Sequence, residues 1–104
     1  MWLKEKEYDL AAYMITEIEI TDPVRYEEYR KLVPASLEKY GGKFIARGGQ
    51  VRTLEGDWDP KRLVVTEWPS VARAMEWYDS EEYREAKEIR HQASTGKMIL
   101  VEGT

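Results

Sequence analysis

Residues 40–58, YGGKFIARGGQVRTLEGDW, constrain the fold more than any other stretch of the chain. Paired glycines cut this run into two strand-length pieces, 43–47 and 51–55, and each piece carries charge where a buried strand should be apolar. Gly41 and Gly42 are suited to end a preceding helix, because glycine adopts the left-handed backbone of a helix C-terminus at no steric cost. Gly48 and Gly49 interrupt the two pieces and predict a hairpin or a bulge. They resemble a phosphate-binding loop only superficially, since no strand–loop–helix pattern with Gly-Lys-Ser/Thr follows. A backbone turn is the expectation.

The flanks of this run place it in an ordered series of elements. Residues 11–20 alternate, with Met14, Thr16, Ile18 and Ile20 on one face and Tyr13, Ile15, Glu17 and Glu19 on the other, which is strand periodicity. Asp22 then offers an N-cap and Pro23 the first helical position. Tyr26, Tyr29, Val33, Leu37 and Tyr40 form one helical stripe, read as packing with hydroxyls reaching the rim. Pro34 lies inside it, removes an amide donor and crowds the previous turn, so the helix is expected to kink or restart there.

Beyond the turn-rich GDWDPK, residues 62–68 read as a third strand. Ser70 is the expected N-cap of a helix whose apolar face is Val71, Ala74, Met75 and Tyr78. Asp79 with Glu82 resembles a capping box and marks a second helical segment through about Ala93, and residues 97–102 form the last strand. The order is β-α-β-β-α-β, an α+β ferredoxin-like pattern: an antiparallel sheet with helices on one face.

That arrangement leaves a second sheet face to account for. Leu63, Val64 and Val65 in the third strand, and Ile99, Leu100 and Val101 in the last, are consecutive apolar residues, so both faces call for burial. The chain has 104 residues, about one domain's worth, and cannot cover both faces itself. A homodimer, open sheet face against open sheet face, is the expected partnership.

The segments AYMITEIEITDP, YEEYRKLVPASLEKYGG, FIARGG, LEGDW, RLVVTEWPS, WYDSEEY and ILVEG span almost the whole chain, from about Ala12 to Gly103. In them the sequence resembles the domain of unknown function 1330 family of the dimeric α/β-barrel superfamily. The resemblance implies a homodimer whose paired sheets form a barrel-like core. It implies no single activity, since relatives include oxygenases without metals, isomerases and proteins of no known chemistry. Residues 11–104 are therefore expected to be one domain. The first ten, MWLKEKEYDL, fall outside the match and read as an extension, poorly ordered or helical, with Trp2 and Leu3 available to dock on a neighbouring subunit.

Composition narrows the function classes. With 42% hydrophobic and 35% charged residues the chain can bury a core, while a formal charge of −4 with interspersed bases argues against nucleic acid. No apolar run approaches the length of a membrane span and no signal-peptide core follows the N-terminus, so a cytoplasmic location is expected. The absence of cysteine removes disulfides, thiolate metal sites and cysteine nucleophiles. With one histidine and no carboxylate cluster of recognisable ligand spacing, neither a metal nor a cofactor is expected.

Few residues remain to carry chemistry. His91 is the only side chain that titrates near neutrality unaided, and helical spacing sets it beside Arg84, Lys87 and Glu88: either a solvated histidine on a polar face or a site residue. Arg47, Glu55 and Glu67 lie in segments that otherwise read as sheet, so they end in water at strand ends or meet inside the barrel. In the second case Arg47 holds an anionic group, while burial raises the Glu67 carboxyl toward neutrality as a general base. Tyr13 and Trp77 are candidates to line the same pocket, between sheet and helices. The sequence supports a small-molecule-binding protein, or a cofactor-independent enzyme for a small organic acid or aromatic compound, with Glu67 and His91 as catalytic candidates and Tyr13, Arg47 and Trp77 as ligand-binding ones. A non-catalytic dimeric structural or interaction module is the alternative.

Overall fold

The structure, a computed structural model, describes residues 10–104. The expected N-terminal extension, with Trp2 and Leu3, lies outside the described residues except for Leu10. The elements run β1 (Ala12–Ile20), α1 (Pro23–Lys39), β2 (Lys43–Arg47), β3 (Leu63–Trp68), α2 (Val71–Tyr78), α3 (Glu81–Ala93) and β4 (Ser94–Glu102). The strands form one antiparallel sheet in the order β2-β3-β1-β4, the ferredoxin-like arrangement that the periodicities predict. The second crossover is broken at Asp79 and Ser80 into α2 and α3.

Alternation in β1 decides which sheet face the helices cover. Ala12, Met14, Thr16 and Ile18 are buried, while Tyr13, Ile15 and Glu17 face the other way. Antiparallel pairing carries this parity across the sheet: Met14 opposes Thr66 and Leu100, whereas Ile15 opposes Val65 and Ile99. The helices pack on the first face with Tyr26, Tyr29, Val33 and Leu37 from α1, Ala74 and Trp77 from α2, and Tyr83, Ala86 and Ile89 from α3. Trp77 lies between Trp68 and Tyr83, with ring centroids 4.9 and 3.8 Å away, and its Nε1–H donates to Ser36 Oγ at 3.1 Å. Each large apolar side chain so buried contributes about 1.5–3 kcal/mol.

Local chemistry sets the helix ends. Asp22 Oδ1 accepts from the Arg25 amide, Ser70 Oγ from that of Arg73, and Gly41, at φ +82°, leads the chain out of α1. The cap of α3 differs from the expected capping box. Ser80 accepts from the Tyr83 amide, while Asp79 is the C-cap of α2, its amide donating to the Met75 carbonyl. Its buried face is also rotated: Trp77 lies in the core and Met75 is exposed, since the indole has more apolar surface to bury and finds a polar partner in Ser36.

Two further expectations are corrected, a restart of α1 at Pro34 and a strand over residues 51–55. Helix α1 continues through Pro34 without restarting. Proline leaves the carbonyl four residues back, that of Arg30, without its helical donor, and Arg47 Nη2 donates to this oxygen at 3.2 Å. Residues 51–55 form no strand; the connection from 48 to 62 is irregular, and Glu55 is exposed within it. The irregularity of pairing falls earlier, inside β2: Phe44 opposes Thr66 but Ala46 opposes Val65, so one extra residue is inserted. The bulge turns Arg47, opposite Val64, to the helix-covered face.

Candidate functional site

Between the helices and the sheet lies a cavity of about 30 Å³, room for a few atoms. Its walls are largely apolar and aromatic, with Met14, Val33, Phe44, Val64, Trp77 and Met98 among them. Its charge comes from four arginines: Arg30 on α1, Arg47 on β2, Arg62 just before β3 and Arg90 on α3. No carboxylate lines it among the described residues. Arginine stays protonated at any physiological pH, so the lining is positive; Arg30 and Arg47 reach solvent, while Arg62 and Arg90 are half-buried.

The four guanidinium groups are held differently. Arg30 is 3.9 Å from Glu27 outside the cavity. Arg47 serves the Arg30 carbonyl and lies 4.1 Å over the Phe44 ring. Arg90 Nε donates to the Tyr83 hydroxyl at 3.2 Å, and Tyr83 is 3.1 Å from the Tyr29 hydroxyl. Burial, first of all, raises the Tyr29 phenol well above its ordinary value and also raises Tyr83, so both keep their protons. Arginine can only donate, so Tyr83 Oη accepts from Arg90, and one phenol proton bridges the two tyrosines. Arg62 Nε is the one buried side-chain polar atom without a hydrogen-bond partner among the described residues.

The residues singled out from the sequence do not form one site. Arg47 and Trp77 both line the cavity, Trp77 as a packed core residue. Glu67 and Tyr13 are together on the opposite face of the sheet, where Tyr13 OH donates to Glu67 Oε2 at 3.2 Å and Lys43 Nζ is 3.1 Å from Oε1. The expected approach of Arg47 to Glu67 therefore fails, because the β2 bulge puts them on different faces. The expected rise in the Glu67 pKa fails too: the ammonium of Lys43, then the Tyr13 hydroxyl, hold it below the ordinary carboxylate value. His91 is exposed on α3, outside the cavity lining, with Nε2 3.3 Å from Arg90 Nη2. Partial burial, then Arg90 and Lys87, lower its pKa, favouring the neutral imidazole that accepts from Arg90.

Arg62, Arg90 and the Tyr29–Tyr83 pair were not singled out as site residues. A lone arginine opening an apolar strand was the visible signal for Arg62. For Arg90 the signal was its place between the core residues Ile89 and Ala93, one and three positions away.

A family model described as a domain of unknown function, DUF1330, matches residues 11–104. No curated protein matches the sequence. Among solved structures, a protein of unknown function from Rhodopseudomonas palustris is 21% identical, with a TM-score of 0.75 over 99% of this chain and 89% of that one. SnoaB, a cofactor-independent oxygenase from Streptomyces nogalater, is 14% identical, with a TM-score of 0.60 over 92% of this chain and 94% of that one. A conserved protein from Methanosarcina mazei is 15% identical, with a TM-score of 0.56 over 96% and 99%. At these identities the likeness is one of fold.

Proposed function

The chain belongs to the family of the domain of unknown function DUF1330, and on that premise we propose that it is a small-molecule-binding protein whose cavity between helices and sheet takes a small organic acid. The observation that carries this reading is the cationic, acid-free lining of an otherwise apolar cavity. A half-buried charge such as that of Arg62 or Arg90 is costly without a counter-charge, and a ligand anion would supply one.

Residues 11–104 act in this proposal as one cytoplasmic domain, with residues 1–10 as an extension. Two copies pair through the open sheet face, where Ile45, Ile99 and Val101 are 51, 61 and 45% exposed. No helix among the described residues is long and apolar enough to cross a membrane.

Catalysis has less support than binding. Neither Glu67 nor His91 lines the cavity, so a reaction there would depend on the Tyr29 hydroxyl, the arginines and the ligand's own reactivity. SnoaB shows that a protein of this fold can be an oxygenase without a cofactor. The alternative, a non-catalytic dimeric module, is favoured by the cavity's small volume and by the apolar sheet face.

The test is a thermal-shift screen of small organic acids and aromatic compounds against the full chain and against Met98→Trp, which fills the cavity. A saturable rise in Tm for the full chain, absent in a folded Met98→Trp protein, is expected. Equal responses in both proteins would place binding elsewhere.

A further inference from the structure

We propose that Arg62 is the anion-binding residue of the cavity and that its ligand is a short-chain carboxylate, whereas Arg47 serves the fold. The proposal rests on the cavity-binding reading above and names the group within it that selects the ligand.

Arg62 is set in place by backbone contacts. Its carbonyl accepts from the Ile18 amide at 3.0 Å, which fixes the start of β3 against β1. Its guanidinium packs on Gly48, where a β-carbon would collide with Nη1 and Cζ. Gly48 has φ +75°, and its amide donates to the Leu63 carbonyl at 2.9 Å, so the glycine is part of the same frame. The Tyr26 ring is 5.9 Å from Cζ. A guanidinium seated between a glycine backbone and an aromatic ring is oriented before any ligand arrives, which lowers the ordering cost of binding.

Nothing in the described protein uses the charge so positioned. The guanidinium makes no ion pair among the described residues, and Nε is buried without an acceptor. A buried donor left unmade is costly, and an incoming oxyanion removes that cost while gaining a charge-assisted bond. Arg47 differs on each point: it satisfies the carbonyl that Pro34 strips of its donor and stacks on Phe44. Removing it should harm the helix more than the ligand.

The rest of the cavity selects among oxyanions. Carboxylate and phosphate both match the guanidinium fork. Val64, Met14 and Met98 offer apolar contact that a bare phosphate cannot use, and about 30 Å³ admits only a few ligand atoms. A carboxylate carrying a short alkyl chain fits both conditions. The Tyr29 hydroxyl also lines the cavity and adds a polar group beside the arginines.

The experiment titrates the full chain with propionate, its neutral isostere propionamide, and inorganic phosphate. It follows arginine Nε–H resonances by NMR, with Arg62 assigned by its loss in Arg62→Lys, and measures Tm in parallel for wild type, Arg62→Met, Arg47→Met and Met98→Trp. Propionate is expected to shift the Arg62 resonance saturably, with propionamide at least about tenfold weaker. Arg62→Met should lose about tenfold or more in affinity with an unchanged or higher Tm, since it removes an unpartnered charge. Arg47→Met should melt lower and lose less propionate affinity than Arg62→Met does. Binding to Arg62→Met as tight as to wild type, or equal binding of acid and amide, would overturn the role of Arg62, while sensitivity to Met98→Trp would leave the cavity reading intact. Phosphate binding more tightly than propionate would overturn the carboxylate assignment. No response of wild type to any probe, here and in the wider screen, would overturn this proposal and the reading beneath it.

Discussion

Glu82 shows how a single exposed carboxylate can tie two elements together. It lies in the first turn of α3 and meets the Lys39 ammonium and the Tyr40 hydroxyl, the latter at 2.8 Å, where α1 ends. The lysine first, then the helix backbone, then the tyrosine lower its pKa from an ordinary 4.5 to about 2. A carboxyl whose pKa is depressed on folding stabilises the protein above its unfolded value and loses that contribution as pH falls through the folded one. Glu82→Gln is therefore expected to lower Tm at pH 7, with the difference from wild type shrinking between about pH 4.5 and 2. The effect should be small, because these side chains are solvated, and added salt should reduce it further. A difference in Tm that persists unchanged at pH 2 would show that the glutamine perturbs packing. Glu67 follows the same sign on the other sheet face, where Lys43 and Tyr13 lower its pKa. That shift runs against the general-base role its place in a strand suggested.

Element boundaries were legible where one residue type had one physical use. Asp22 before Pro23, Ser70 after Pro69, and the alternation of β1 all gave the right element, because capping and period-two burial are local properties. The failures involve distant partners. Pro34 reads as a helix break until Arg47, thirteen residues on in a different element, is seen to occupy the stranded carbonyl of Arg30 at 3.2 Å. The facing of Arg47 also depends on the bulge between Phe44 and Ala46. Without that extra residue, Arg47 would share a face with Lys43 and hence with Glu67, which is the pairing the strand pattern suggested. The cavity was legible in Arg47 and Trp77, yet not in Arg62, whose isolation is a fact of three dimensions. A double-mutant cycle tests the Pro34–Arg47 device. Arg47→Met should cost about 0.5–1.5 kcal/mol in the native background. In Pro34→Ala, whose restored amide can donate to the Arg30 carbonyl, the same change should cost less, and Pro34→Ala alone should stabilise. Equal costs of Arg47→Met in both backgrounds, read from denaturant unfolding, would show that the arginine is not acting through that carbonyl.

At the scale of the whole molecule the unanswered demand is the second face of the sheet. Tyr13 and Ile15 from β1, Leu63 and Val65 from β3, and Ile99 and Val101 from β4 share it, bordered by the Lys43–Glu67 ion pair. Trp58 reaches this side from the 48–62 connection, with Nε1 3.4 Å from Glu17 Oε2, and leaves the centre uncovered. The two faces thus divide the work: one is closed by helices around a cationic cavity, and the other is available to a second copy. Ile99 is the position that separates these roles. It is 61% exposed and opposes Ile15 in the central pair of strands, so a charge there is tolerated by a single subunit and opposed by a dimer. Ile99→Glu is expected to give a folded chain with a native circular dichroism spectrum that sediments as a monomer at micromolar concentration, and the wild type is expected to sediment as a dimer. The cavity lies on the other side of the sheet, so propionate should still shift the Arg62 resonance in the monomer. A wild-type monomer at that concentration, or an Ile99→Glu protein that remains dimeric, would remove the open sheet face as the dimer interface.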